Sequence, residues 1–118
     1  MNNENKVKFK RALTKVLQNV SADIDNELEI GKALKTTLEI AGSKNEVLIL
    51  IDSAKAPHEG KFNLVIGVVR RDGNKLSAIH AVTGQSKEQL KAFFESESLP
   101  KRLYERLSAE SDKLDRDN

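Results

Sequence analysis

The chain has 118 residues, 38% of them hydrophobic and 32% charged, with a formal net charge of +2 and no cysteine. That length supports one domain spanning residues 1–118, and so small a net charge beside that apolar content excludes a disordered chain. The missing cysteines exclude disulfide staples, thiolate zinc sites and thiol nucleophiles. No apolar run approaches the roughly 20 residues of a membrane helix, and Met1 leads into a polar segment unlike a signal peptide.

Phe9, Leu13, Val16 and Val20 recur at helical spacing with Ala12 and Leu17 beside them, which predicts an amphipathic helix with its lysines on the opposite face. Ser21 is a candidate cap for a second helix through Ile24, Leu28, Leu34, Leu38 and Ala41, with Gly31 as a kink and Gly42-Ser43 as its stop. A strand at 28–30 or 37–40 is the competing reading, because Thr and Ile favour extended backbone. Val47 to Ile51 is a continuous apolar run between Asn45 and Asp52, the pattern of a strand covered on both faces.

Residues 61–70 predict a second strand, with Gly67 marking a bulge or a close backbone approach. Asp72-Gly73 is a tight-hairpin signal, and residues 75–83 return as the third strand. After Gly84, Ser86 and Gln89 have capping-box spacing and open a helix through Leu90, Phe93 and Phe94. Ser98 and Pro100 open a last helix along Leu99, Leu103 and Leu107, with residues 110–118 expected to fray. The order predicts an α+β domain: N-terminal helices on a small, mainly antiparallel twisted sheet, followed by C-terminal helices.

Charge alternates in blocks: +4 over residues 1–20, −4 over 21–53, +4 over 54–91 and −2 over 92–118. Such blocks suit a polyanion-facing side if folding joins the basic ones, and an ordinary solvated surface if it does not. Two histidines are present, His58 in the loop 53–60 and His80 within the third strand. An imidazole titrates near neutrality, so either can carry a proton at physiological pH. The plainer readings are an exposed loop residue for His58 and a hydrogen-bonded sheet residue for His80.

Thr83 and Ser77 supply hydroxyls near His80, although regular alternation puts His80 and Thr83 on opposite faces. Arg70, Arg71 and Lys75 flank the hairpin turn, and Lys55 and Lys61 lie beside His58. An imidazole, a hydroxyl and several cations are the groups that metal-independent RNA cleavage requires. Asp52, Glu59 and Lys61, with Glu39 on the preceding element, form a competing set that resembles a PD-(D/E)xK nuclease centre binding Mg²⁺. Phosphate-loop, His-Glu-x-x-His and Gly-x-Ser-x-Gly patterns are absent, and four Phe with one Tyr are too few for a base-stacking platform.

The segment 63–83, NLVIGVVRRDGNKLSAIHAVT, preceded by basic helices, resembles the barnase/EndoU/colicin/RelE-type ribonuclease toxins. It is most similar to the colicin-D-like tRNA-cleaving C-terminal domains of contact-dependent growth inhibition systems. The resemblance covers the central third of the chain. It implies helices packed on a twisted antiparallel sheet, tRNA cleavage without a metal or other cofactor, and a cognate immunity protein over the active face. It places the active site on His80 or His58, Thr83 or Ser77, and the hairpin bases Arg70, Arg71 and Lys75 as substrate-binding residues, and Lys55 and Lys61 beside His58 are further substrate-binding candidates. It further implies secretion within a larger effector, action in the target cell's cytoplasm, and room for a host translation factor. A pair of helices after the sheet departs from the many relatives that end on a strand. The alternative from a different class is a non-enzymatic module: an immunity protein, chaperone or adaptor.

Overall fold

The computed structural model describes residues 3–72 and 75–116. One helix, α1 (Asn3–Glu29), leads into four strands, β1 (Leu34–Glu39), β2 (Asn45–Ser53), β3 (Phe62–Arg70) and β4 (Leu76–Gln85). Two helices follow, α2 (Lys87–Glu95) and α3 (Leu99–Arg116). The strands form an antiparallel sheet in the order β1-β2-β3-β4, and the architecture is the α+β arrangement read from the sequence.

The two N-terminal helices expected from the sequence are a helix and a strand. Phe9, Leu13, Leu17, Val20, Ile24 and Leu28 are all buried, so the apolar stripe runs without a break past Ser21. The stop comes at Gly31 (φ 78°). There the Gly31 amide donates to the Leu28 carbonyl at 3.2 Å and the Lys32 amide to that of Glu27 at 3.0 Å, a Schellman closure. Beyond it Leu34 lies opposite Ile51 and Thr36 opposite Ile49, so residues 34–39 complete the sheet as its edge, a fourth strand where three were expected.

β2 is not covered on both faces. Val47, Ile49 and Ile51 are buried beneath the helices, whereas Leu48 and Leu50 are half-buried on a sheet face that no helix covers. Gly67 is the close approach expected of it. The register shifts between Ile66 and Gly67, and a Cβ at Gly67 would lie 2.6 Å from the Ser77 carbonyl oxygen. The Asp72-Gly73 turn falls partly outside the described residues, but the antiparallel β3–β4 pairing it joins is present.

Ser86 and Gln89 close the expected capping box at the start of α2. The final helix does not fray at residue 110; it continues to Arg116, with Ser111 1% and Leu114 4% exposed. An inserted amide holds it down. Asn45, fully buried, donates through Nδ2 to the Ser111 carbonyl at 3.2 Å, to Ser111 Oγ at 3.1 Å and to Asp115 Oδ1 at 2.9 Å.

Candidate functional site

β4 alternates between the helix layer and the open face, and the register assigns each side chain. Ser77, His80 and Val82 lie opposite Val68, Ile66 and Leu64, all buried, so the three face the helices. Ala78 and Ala81 lie opposite Gly67 and Val65 on the uncovered face. The irregular register beside Gly67 lets two such helix-facing residues, Ser77 and His80, stand three positions apart.

The His80 ring stacks on Phe93 of α2, centroids 4.8 Å apart and planes 8° from parallel. Phe93 is set in turn by an edge contact with the buried ring of Phe94 at 5.1 Å. Across from the imidazole, Arg102 and Arg106 stand one turn apart on α3, flanking the buried stripe of Leu99, Leu103 and Leu107. The imidazole, Phe93 and both guanidinium groups line a cleft of about 120 Å³, floored by Leu99 and Leu103. Both arginines are exposed, and among the described residues neither forms an ion pair. One turn beyond Arg106, Glu110 accepts a hydrogen bond from the Ser77 hydroxyl at 2.6 Å.

The electrostatics follow from that geometry. Burial, and then the positive charges of Arg106 and Arg102, hold His80 below its ordinary imidazole pKa, so it is a neutral base at pH 7. Two cations with no ion pair among the described residues, beside a neutral imidazole, make a receptor for an anion that also presents a proton.

The other residues singled out by sequence do not converge here. Thr83 is exposed on the strand face opposite to His80, so the two do not act as a pair. His58 sits in the exposed loop after β2, where its ring packs beside Gly84. Lys55 and Lys61 are exposed in that same loop. Arg70 is committed to the fold: its side chain is 12% exposed, 3.6 Å from Asp72, and donates to the Leu114 carbonyl at 3.4 Å. Arg71 is paired with Glu39 and, at 3.7 Å, with Glu46. Lys75 is exposed just before β4.

The carboxylate alternative loses its geometry, because Glu59 and Lys61 lie in the loop and not on one face of a strand. Among the described residues no group of three His, Cys, Asp or Glu side chains is placed to hold a metal ion. Arg102 and Arg106 were not singled out by sequence. Their signal is an i, i+4 arginine pair beside an apolar stripe, which reads equally as ordinary helix amphipathicity.

No protein-family model, no curated protein and no solved structure matches this chain. The class that fold and site define is an α+β domain whose sheet is covered on one side and whose covered side opens onto a cationic imidazole cleft.

Proposed function

We propose that this domain is a metal-independent ribonuclease acting on tRNA, the toxin part of a larger secreted effector. It acts in the cytoplasm of a target bacterium and is neutralised by an immunity protein seated over the cleft. The observation that carries the reading is the convergence of neutral His80 with Arg102 and Arg106, neither of which has a counter-ion among the described residues. In this reading the arginines grip the scissile phosphate, and His80 takes the proton of the ribose 2′-hydroxyl. The 2′ oxygen attacks phosphorus, the bond to the 5′ oxygen breaks, and the imidazolium returns the proton to that leaving oxygen. The products are a 2′,3′-cyclic phosphate and a 5′-hydroxyl. The arginines offset the charge that builds on phosphorus.

The test is incubation of the protein with total tRNA in EDTA. Cleavage to 2′,3′-cyclic phosphate ends is expected, with a rate loss on the order of 10²–10⁴ in His80→Ala, the usual cost of removing a general acid–base group. Arg102→Gln/Arg106→Gln should lose activity while its melting temperature stays within a few degrees of the parent, both side chains being exposed. Cleavage that requires Mg²⁺, or activity that falls only in proportion to unfolding, would overturn the reading.

A second reading, a non-enzymatic interaction module, is favoured by one observation. Leu48, Leu50, Val65 and Val69 form an apolar centre on the sheet face that no helix covers, beside Leu76, which is 51% exposed. Intact tRNA in every condition above would select it.

A further inference from the structure

The charge on α1 is split along its length, acidic toward its C-terminus and basic toward its N-terminus. Its C-terminal half carries Asp23, Asp25, Glu27 and Glu29, and α2 answers two of these: Lys91 reaches Asp25 at 2.8 Å and Lys87 reaches Glu29 at 3.4 Å. Its N-terminal half carries five bases. Lys8 pairs with Glu4 at 3.6 Å, and Lys6 lies 5.7 Å from the centre of the Tyr104 ring. Lys10, Arg11 and Lys15 are exposed and form no ion pair among the described residues.

These three line one open, solvent-facing strip with Val7, Thr14 and Gln18, about 17 Å long at 1.5 Å per residue. The strip belongs to the same layer as the cleft. α1 and α3 run antiparallel, since Phe9 packs on Tyr104 while Ser21, further along α1, bonds Glu95 just before α3. Lys101, exposed and one turn from Tyr104, stands on the α1 side of α3, and Arg102 and Arg106 stand on the β4 side. The cations of strip and cleft therefore flank one helix, on a layer about two helix diameters wide. Among the described residues no comparable row of cations faces the open sheet, where Arg71 is bound by Glu39 and Glu46.

We propose that the N-terminal half of α1 is a second RNA-binding surface that grips backbone phosphates several nucleotides from the cleft. The inference rests on the ribonuclease reading and adds that the substrate is a polymer crossing α3, not a mononucleotide. A row of flexible cations without an available aromatic platform reads phosphates and carries no base specificity. An anionic membrane is the less suitable partner. The apolar face of α1 is spent on the core, and the strip offers only Val7 for insertion, whereas interfacial helices present bulky apolar side chains.

The test uses the full chain and a labelled 20-nucleotide RNA with 2′-O-methyl riboses, which binds but cannot be cleaved. For Lys10→Gln/Arg11→Gln/Lys15→Gln, the slope of log affinity against log salt should shrink by about 2, from 0.7 per lost phosphate contact on a single strand. Affinity at 0.1 M salt should fall on the order of 100-fold. Lys32→Gln/Lys44→Gln/Lys113→Gln, with the same change of net charge, should keep the parental slope. Cleavage of a dinucleotide, too short to reach the strip, should be unchanged in both variants. An unchanged slope in the α1 variant, or an equal loss in the control, would overturn the proposal. So would loss of binding to phosphatidylserine vesicles with RNA affinity intact. If the parent cleaves no tRNA in EDTA, the ribonuclease reading fails while the salt slopes still decide the RNA surface.

Discussion

His80 owes its chemistry to its surroundings more than to its type. Flanked by Ile79 and Ala81, it reads as a sheet histidine, and the fold then places its ring on Phe93 with two guanidinium groups nearby. Burial and the like charges of Arg106 and Arg102 lower its pKa from the ordinary 6.5. Between the lowered value and 6.5 the unfolded chain therefore binds more protons than the folded one. The His80 contribution to stability is fully present above pH 6.5 and is lost as pH falls through the folded value. Comparison with His80→Gln isolates this term, because the carboxylates titrate alike in both proteins. The melting-temperature difference, parent minus variant, should shrink as pH falls from about 7.5 to 5, and a constant difference would refute the lowered pKa. On the ribonuclease reading, the acid limb of kcat/KM for RNA cleavage should lie below pH 6.5, because His80 would have to be neutral to act as the base.

Two elements depend on single residues that hold backbone close to backbone. In the β3–β4 hairpin a Cβ at Gly67 would meet the Ser77 carbonyl oxygen at 2.6 Å and the Ala78 Cα at 3.1 Å. Those are main-chain atoms, which cannot rotate aside, so Gly67→Ala must push the strands apart. It should cost about 1–3 kcal/mol by analogy with overpacked cores, read as a lower urea midpoint. Since the displaced strand carries His80, tRNA cleavage should fall as well on the ribonuclease reading. Near the same end of the sheet, opposite Arg70, Asn45 locks α3 to the start of β2 through Ser111 and Asp115. Asn45→Ala leaves the Ser111 carbonyl without this donor and should cost about 1–3 kcal/mol. Asn45→Asp should cost more in chemical denaturation near pH 7, because it sets a second carboxylate against Asp115 and removes the donors. Equal stability of these variants and the parent would mean that Leu114 and its neighbours hold α3 unaided.

Across the whole molecule the helices occupy one side of the sheet, and that division decides where charge and apolar surface go. Burial of the α1 stripe and of Val47, Ile49 and Ile51 fuses the elements into one core, each fully buried Leu or Ile contributing about 1.5–3 kcal/mol. The same packing turns the bases of α1 and α3 outward on the covered side and leaves Leu48, Leu50 and Val65 on the other. A net charge of +2 conceals this asymmetry, because two acids of α1, Asp25 and Glu29, are paired with α2 and Glu39 and Glu46 are paired with Arg71.

The sequence by itself determined what short-range physics controls. The α1 stripe as far as Val20, the β3–β4 pair around Gly67, the Ser86 capping box and the α+β order all follow from periodicity, turn chemistry and local hydrogen bonding. It also singled out His80, whose ring the fold sets in the cleft beside Phe93. Residues 34–39 were misassigned because their apolar spacing fits either period, and only pairing with β2 fixes them as a strand. The end of α3 was misjudged because its anchor, Asn45, lies 66 residues away from Ser111. For the site, tertiary structure decided which cations join the imidazole. Arg70 and Arg71 are nearer in sequence but are drawn off to Leu114, Asp72, Glu39 and Glu46, whereas Arg102 and Arg106 arrive on a helix folded back along β4. Ion pairing depends on distance in space, and the fold that sets those distances is a property of the packed core, not of any local run of residues.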